Sequence, residues 1–173
     1  MTVRERLLAA AAELIAEKGW GAVSTRLLAD RAGVGSGVVH YHFASTQAVL
    51  VEAAAGALRA ALAGLPDLLA PATTPGEALD AVLTALIDAD GQELFIETYL
   101  AATRNDDLRH AVAEVLAEFR HTIARWLAEH DVPTPEATAA VLAAALDGVM
   151  LHRALDPDLT RALVVPVLGR VLR

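Results

Sequence analysis

Residues 33–43, GVGSGVVHYHF, put three glycines, a serine hydroxyl, three valines and four ring side chains into eleven positions. Three kinds of chemistry draw on such residues. A phosphate-binding loop needs G-x-x-x-x-G-K-[ST] after a strand, whereas this stretch has no lysine and follows a helical pattern. His40 and His42 could suggest a metal, but two residues apart on a helix they sit about 200° around the axis and do not converge on one ion. A catalytic site lacks its partner, because nothing nearby pairs a nucleophile with a buried acid. What remains is a short helix presented to something outside the chain.

The flanking elements support that reading. A helix is expected over 3–18, with Leu7, Leu8, Ala11, Leu14 and Ile15 on one stripe, a stop at Gly19, and Trp20 plugging a small core. Ser24 is placed to cap a second helix, TRLLADRA, with Leu27, Leu28 and Ala32 inward. Gly33 suits a left-handed turn and Ala29 a close crossing. The third helix then runs from Gly35 or Ser36 to His42, held from beneath by Val34, Val39 and Phe43. Gly35, Ser36, Gly37, Val38, His40, Tyr41 and Thr46 are left outward or at the ends. The free N–H groups at such a helix start suit a phosphate. Glycines at 35 and 37 weaken a packing helix but suit close approach to another molecule. The pair reads as a helix-turn-helix.

Beyond it, Ser45 caps a helix that continues to about Gly64, and Pro66 with APATTPGEA forms a loop. Helices follow over 76–89, 92–104 and 106–130, the last with Val112, Leu116, Phe119, Ile123 and Trp126 as its stripe. Another spans 134–155, with Thr134 as cap and Pro135 at the first position. Glu136 stands two past that cap rather than three, so no capping box is expected. The last, over 157–173, is interrupted by Pro166. No strand alternation competes. The expected fold is all-α with about nine helices, divided into residues 1–44 and 45–173.

Formal charge is −8 over 173 residues, but it is unevenly spread. Residues 1–50 carry five cations and four carboxylates, net +1; the remainder carries nine and eighteen, net −9. A polyanion would be repelled by the second part and tolerated by the first. Cysteine is absent, which removes disulfides, thiolate metal sites and thiol nucleophiles. The start of the chain has charges on both sides of its apolar run and no cleavage signal. No apolar stretch reaches 18 residues without a charge, so no membrane partner is expected. The expectation is a cytoplasmic protein, not an enzyme, with no cofactor and no metal.

RERLLAAAAELIAEKGW followed by STRLLADRAGVGSGVVHYHFASTQAVL resembles the DNA-binding head of the TetR family of transcriptional regulators. The resemblance is strong over residues 3–50 and beyond them rests on helix number and length. It implies an all-α homodimer that binds a palindromic double-stranded operator, usually as a repressor, and is released by a small molecule. By that pattern Arg4, Ser24, Thr25 and Arg26 meet phosphates, while His40 and Thr46 clamp the backbone. Ser36, Gly37, Val38 and Tyr41 enter the major groove. Gly35 stands where a capping serine is usual, Val38 for a threonine, His40 for a tyrosine and Thr46 for a lysine. Read without the family, Arg4 and Arg26 are equally ordinary solvated charges, and Tyr41 a half-exposed packing residue.

In the body, Phe95, Tyr99, Phe119, Ile123, Trp126 and Leu146 either fill the core or line an apolar effector pocket. Asp147, in an otherwise apolar helix, either bonds across a pocket or dimer seam or faces solvent. The helices over 134–155 and 157–173 are apolar nearly all round, which predicts a two-fold seam through Val141, Leu142, Val149, Leu163, Val164 and Val167. Three functions compete: a DNA-binding regulator, a ligand-binding or adaptor protein of the same fold without its operator, and an all-α enzyme. The enzyme lacks an acid–base pair at any sensible spacing.

Overall fold

Hydroxyl residues mark where most helices start. The computed structural model describes residues 1–88, 91–170 and 172. Its order is α1 (Val3–Lys18), a 3-10 turn (Trp20–Ala22), α2 (Thr25–Ala32), α3 (Ser36–His42), α4 (Thr46–Leu62), α5 (Leu65–Leu69), α6 (Pro75–Asp88), α7 (Gln92–Ala102), α8 (Asp106–Glu129), α9 (Pro135–Arg153) and α10 (Arg161–Leu168). No strand occurs among the described residues. The all-α expectation holds. The short α5 occupies what was read as loop, with Pro66 in its first turn, where a missing N–H is harmless. Helix α4 ends at Leu62 rather than Gly64, and α10 starts at Arg161 rather than Pro157. The expected continuation to 173 falls partly outside the described residues.

Packing divides the chain into two units, residues 1–61 with 93–115, and 62–92 with 116–173. That line differs from a division at 44/45. Helix α4 belongs with the head because Val49, Leu50, Ala53, Ala54 and Ala55 are buried there and Glu52 is ion-paired to Arg4 of α1.

In the first unit α1 opens on a capping box. Thr2 Oγ1 accepts the Glu5 N–H at 3.2 Å, and Glu5 Oε2 accepts the Thr2 N–H at 2.8 Å. Helix α1 packs on α2, and α2 on α3, burying Leu7, Leu14, Ile15, Leu28, Ala29 and Val39. Leu27 is 37% exposed, not inward, because the buried stripe of α2 falls on Leu28, Ala29 and Ala32. Trp20 is only half-buried. It is held through its backbone, whose N–H donates to Glu97 Oε2 of α7 at 3.2 Å.

The α2–α3 corner is a Schellman motif. Gly33 adopts φ 67°, ψ 41°, and its N–H reaches Asp30 O at 3.3 Å while the Val34 N–H reaches Ala29 O at 3.0 Å. An alanine Cβ at 33 would meet nothing within 4 Å, so only the backbone resists it. Gly33→Ala is expected to lower unfolding stability by about 1–2 kcal/mol, the left-handed penalty, in a denaturant titration.

The second unit packs α5, α9 and α10 against α6. Leu79, Leu83, Ile123, Leu127, Leu142 and Leu146 are among its buried core. Helix α6 has its own capping box: Glu77 Oε2 accepts from the Thr73 N–H, the Thr73 hydroxyl and the Thr74 N–H, and Thr74 Oγ1 accepts from the Glu77 N–H at 3.3 Å. The Thr73 N–H, then its hydroxyl, hold the Glu77 carboxyl below its ordinary value. The cap is therefore complete at neutral pH and is lost as pH falls through that lowered value. Thr134 does sit before α9, but in a left-handed conformation (φ 47°) with no side-chain cap bond. Its hydroxyl does not do the work expected of it.

The segment Thr46–Leu69 has the length and hydropathy to cross a bilayer. Its Glu52 and Arg59 are ion-paired to Arg4 and Glu114, and a third of its apolar window, including Val49, Leu50, Ala53, Ala54 and Ala55, is buried within the protein.

Candidate nucleic-acid interface

Helix α3 shows one face to the head and leaves the other bare. Val39 and Phe43 are buried beneath it, and the Phe43 N–H closes the helix on Val39 O at 3.0 Å. Val34, expected to pack back, is half-buried. Gly35, Ser36, Gly37, His40 and Tyr41 are exposed, and Val38 is half-exposed. Tyr41 is 85% exposed, with only the edge of His42 against it at 5.1 Å. Gly35 is the N-cap and offers no side-chain bond.

Neither Gly35 nor Gly37 has a positive φ, and a Cβ on either would meet nothing within 4 Å. The fold itself has no need of glycine at these positions. Glycine inside a helix costs about 1 kcal/mol against alanine, a cost that Gly37 bears and the N-cap Gly35 does not, and the packing of the head gives no return for it.

Around α3 the structure gathers some of the expected residues and diverts others. Thr25 Oγ1 and Thr46 Oγ1 lie 2.6 Å apart, joining the start of α2 to the start of α4. Sequence reasoning named both and missed the bond. Ser24 Oγ accepts from the Leu27 N–H at 3.3 Å and keeps its own proton for another acceptor. Arg26 is largely exposed, and its contact with Asp30 at 3.8 Å is loose.

Arg4 has partners within its own unit. Its Nη2 donates to Glu52 Oε2 at 2.6 Å and its guanidinium lies over the Phe43 ring at 4.9 Å, so it fastens α1 to α4 and the end of α3. Arg31 is tied to Glu13 and Glu17 at 3.0 and 2.6 Å. Its hydrogen bonds raise its own pKa and lower that of Glu17. Arg4 and Arg31 are thus taken up inside the unit.

The body residues are dispersed. Phe95 and Tyr99 are in the first unit, rings 4.5 Å apart. Ile123, Trp126 and Leu146 line a cavity of only ≈ 30 Å³ in the second unit, against roughly 300–1,000 Å³ for a typical ligand site. Phe119 is buried in that unit's core and is not part of the cavity lining, and Asp147 is half-buried. Of the residues placed at the seam, Val141, Leu163 and Val167 are 54%, 61% and 53% exposed. Leu142 and Val164 are corrected: both are buried in the chain's own core and cannot form the outward seam. Val149 is partly buried against the same core.

Two short helices on a Schellman turn, the second with a bare outward face, form a helix-turn-helix. Residues 7–53 match the family described as bacterial regulatory proteins, tetR family, and residues 70–173 match the tetracyclin repressor-like C-terminal domain. The chain belongs to the tetR family. It is similar to the HTH-type transcriptional repressor KstR2 of Rhodococcus jostii (strain RHA1), 31% identical over 111 residues, which are 64% of this chain and 52% of that protein. The chain spans about half the length of the curated relatives it matches. Among solved structures it is similar to SCO7518 of Streptomyces coelicolor A3(2), a candidate transcriptional regulator, with 33% identity, TM-score 0.81 and 98% of both chains covered. It is similar also to the multidrug binding protein EbrR in complex with imidazole, with 30% identity, TM-score 0.78, and 100% of this chain and 96% of that chain covered.

Proposed function

We propose that this chain is a cytoplasmic transcriptional repressor that binds a palindromic operator as a homodimer and is released by a small, largely apolar effector. The observation that carries the reading is the bare face of α3, with Gly37 inside the helix where packing does not require a glycine and Tyr41 85% exposed. Ser36, Gly37, Val38 and Tyr41 enter the major groove. Gly35, Ser24, Thr25, Arg26, His40 and Thr46 meet the phosphate backbone, the Thr25–Thr46 pair presenting its hydroxyls together. By role the chain divides into a DNA-binding head, residues 1–44, and an effector-binding and dimerisation body, residues 45–173, a functional line distinct from the packing that sets α4 with the first unit. The apolar residues exposed on α9 and α10 pair with their symmetry mates.

KstR2 is a repressor, which favours repression, and EbrR was solved with imidazole and with proflavin, which favours a regulator that answers to small molecules. An effector acts near Ile123, Trp126 and Leu146 and must part helices to fit, since the cavity there is small. By linkage, operator DNA weakens effector binding by the factor by which effector weakens DNA binding.

A second reading, the same fold without an operator, is favoured by the engagement of Arg4 and Arg31 inside the head. A gel shift with the chain's own upstream region separates the two. If Arg26 meets a phosphate, Arg26→Ala reduces the slope of log K against log [salt] by about one unit at every sequence tested. A changed base preference with an unchanged slope would instead make Arg26 a base reader.

A further inference from the structure

Trp126 and Leu69 line two spaces in the second unit. On one side is the ≈ 30 Å³ apolar cavity; on the other is an open groove of ≈ 330 Å³ between α5 and α8. The Trp126 indole N–H donates to Leu69 O at 3.2 Å, and this bond holds the partition shut. The indole is steadied by the stacked His130 ring, 3.7 Å away and 16° from parallel, whose Nδ1 lies 2.8 Å from Trp126 O.

The groove is lined by Pro66, Leu69 and Ala70 on one side and by Thr122, Arg125, Trp126 and Glu129 of α8 on the other, with Leu69 and Trp126 themselves largely buried. The Thr122 hydroxyl is already committed to Glu118 O at 3.0 Å. Arg125 and Glu129, one helical turn apart and both exposed, decide the sign of a ligand. Asp67, beside Pro66, and Asp131, just after α8, add negative charge nearby. The whole unit carries twelve carboxylates against six cations, net −6. Such a field attracts cations and opposes anions. Pro66 and the margin of the Trp126 indole give a flat ring its apolar contact.

We propose that the groove between α5 and α8 binds a flat, apolar organic cation, with Glu129 facing its charge and the Leu69–Trp126 bond as the wall it loosens. The proposal rests on the effector reading above and gives it a location and a ligand class. A molecule of two fused rings fits the groove as it stands; separating Leu69 from Trp126 joins groove to cavity.

The probes are N-methylquinolinium and 2-naphthoate, two fused rings with opposite charge, titrated by calorimetry into the full chain. The cation is expected to bind once per chain and the anion about tenfold or more weakly. Glu129→Gln should weaken the cation about tenfold, while Arg125→Gln leaves it unchanged or tightens it. Equal affinity for both probes, or a loss caused by Arg125→Gln and not by Glu129→Gln, overturns the proposal. Operator affinity is read separately. A compound that releases operator without competing with the cation keeps the effector reading and removes this groove from it. Cation binding with operator affinity unchanged keeps the groove as a site and removes its role as the switch.

Discussion

Gly37→Leu is expected to leave the head folded and no less stable, and to weaken operator binding by about a hundredfold, ~3 kcal/mol, or more. The two effects have opposite causes. Inside the chain nothing lies within 4 Å of a Cβ at 37, and leucine is the better helix former by up to about 1 kcal/mol. Outside it, position 37 is one turn before Tyr41 on the same face, so a leucine there stands in the path of whatever Tyr41 touches. Gly37→Ala should show the same signs at smaller size. Thermal unfolding of the variants and titration against operator duplex read the two quantities independently. A Gly37→Leu protein that binds as tightly as the parent would mean that α3 does not approach DNA by this face.

Joint replacement of Val141 and Leu163 by aspartate is expected to convert a dimer into the 18.1 kDa monomer. Both side chains are more than half exposed, so the chain's own core does not depend on them. Around Val141 the outward face of α9 carries Ala137, Ala140 and Ala144, and Leu163 shares α10 with the exposed Val167. Four charges brought together across a two-fold axis of small apolar residues would face desolvation without partners. Operator binding should fall with dimerisation, since two half-sites are then read by separate molecules. Equilibrium sedimentation at micromolar concentration checks this. A parent protein that sediments only as an 18.1 kDa species removes the seam.

Backbone punctuation was the most legible part of the sequence. Gly33, Ser24 and Ser45 do what their types and places announce. The threonine–glutamate pairs of TVRE and TPGE cap their helices too, yet the sequence reading gives no cap to the first and places the second in a loop. Thr134 shows the limit of reading by type: its backbone is left-handed rather than extended like that of Ser24, and its hydroxyl caps nothing. Burial was harder to read. Leu27 and Leu28 look alike in sequence, but one helical step apart on α2 Leu28 falls with Ala29 and Ala32 on the buried side and Leu27 does not. On α9 and α10, apolar all round, the sequence could not say which side faces the chain's own core; Leu142 and Val164 went inward, Val141 and Leu163 outward. Arg4 was unreadable for another reason. Its partner Glu52 lies 48 residues away, and pairings at that separation leave no local pattern.

The central claim is that α3 reads a palindrome from a two-fold dimer. It is tested most directly by selecting bound sequences from random duplex DNA with the full chain, then measuring stoichiometry and affinity on the winner. The account predicts an inverted repeat with half-site centres about one helical turn, roughly 34–36 Å, or a multiple of it apart. It predicts one or two dimers bound per repeat, and loss of preference when Tyr41 is replaced by alanine. A pool that stays random after selection, or an enriched sequence without two-fold symmetry that Tyr41→Ala binds equally well, would contradict it.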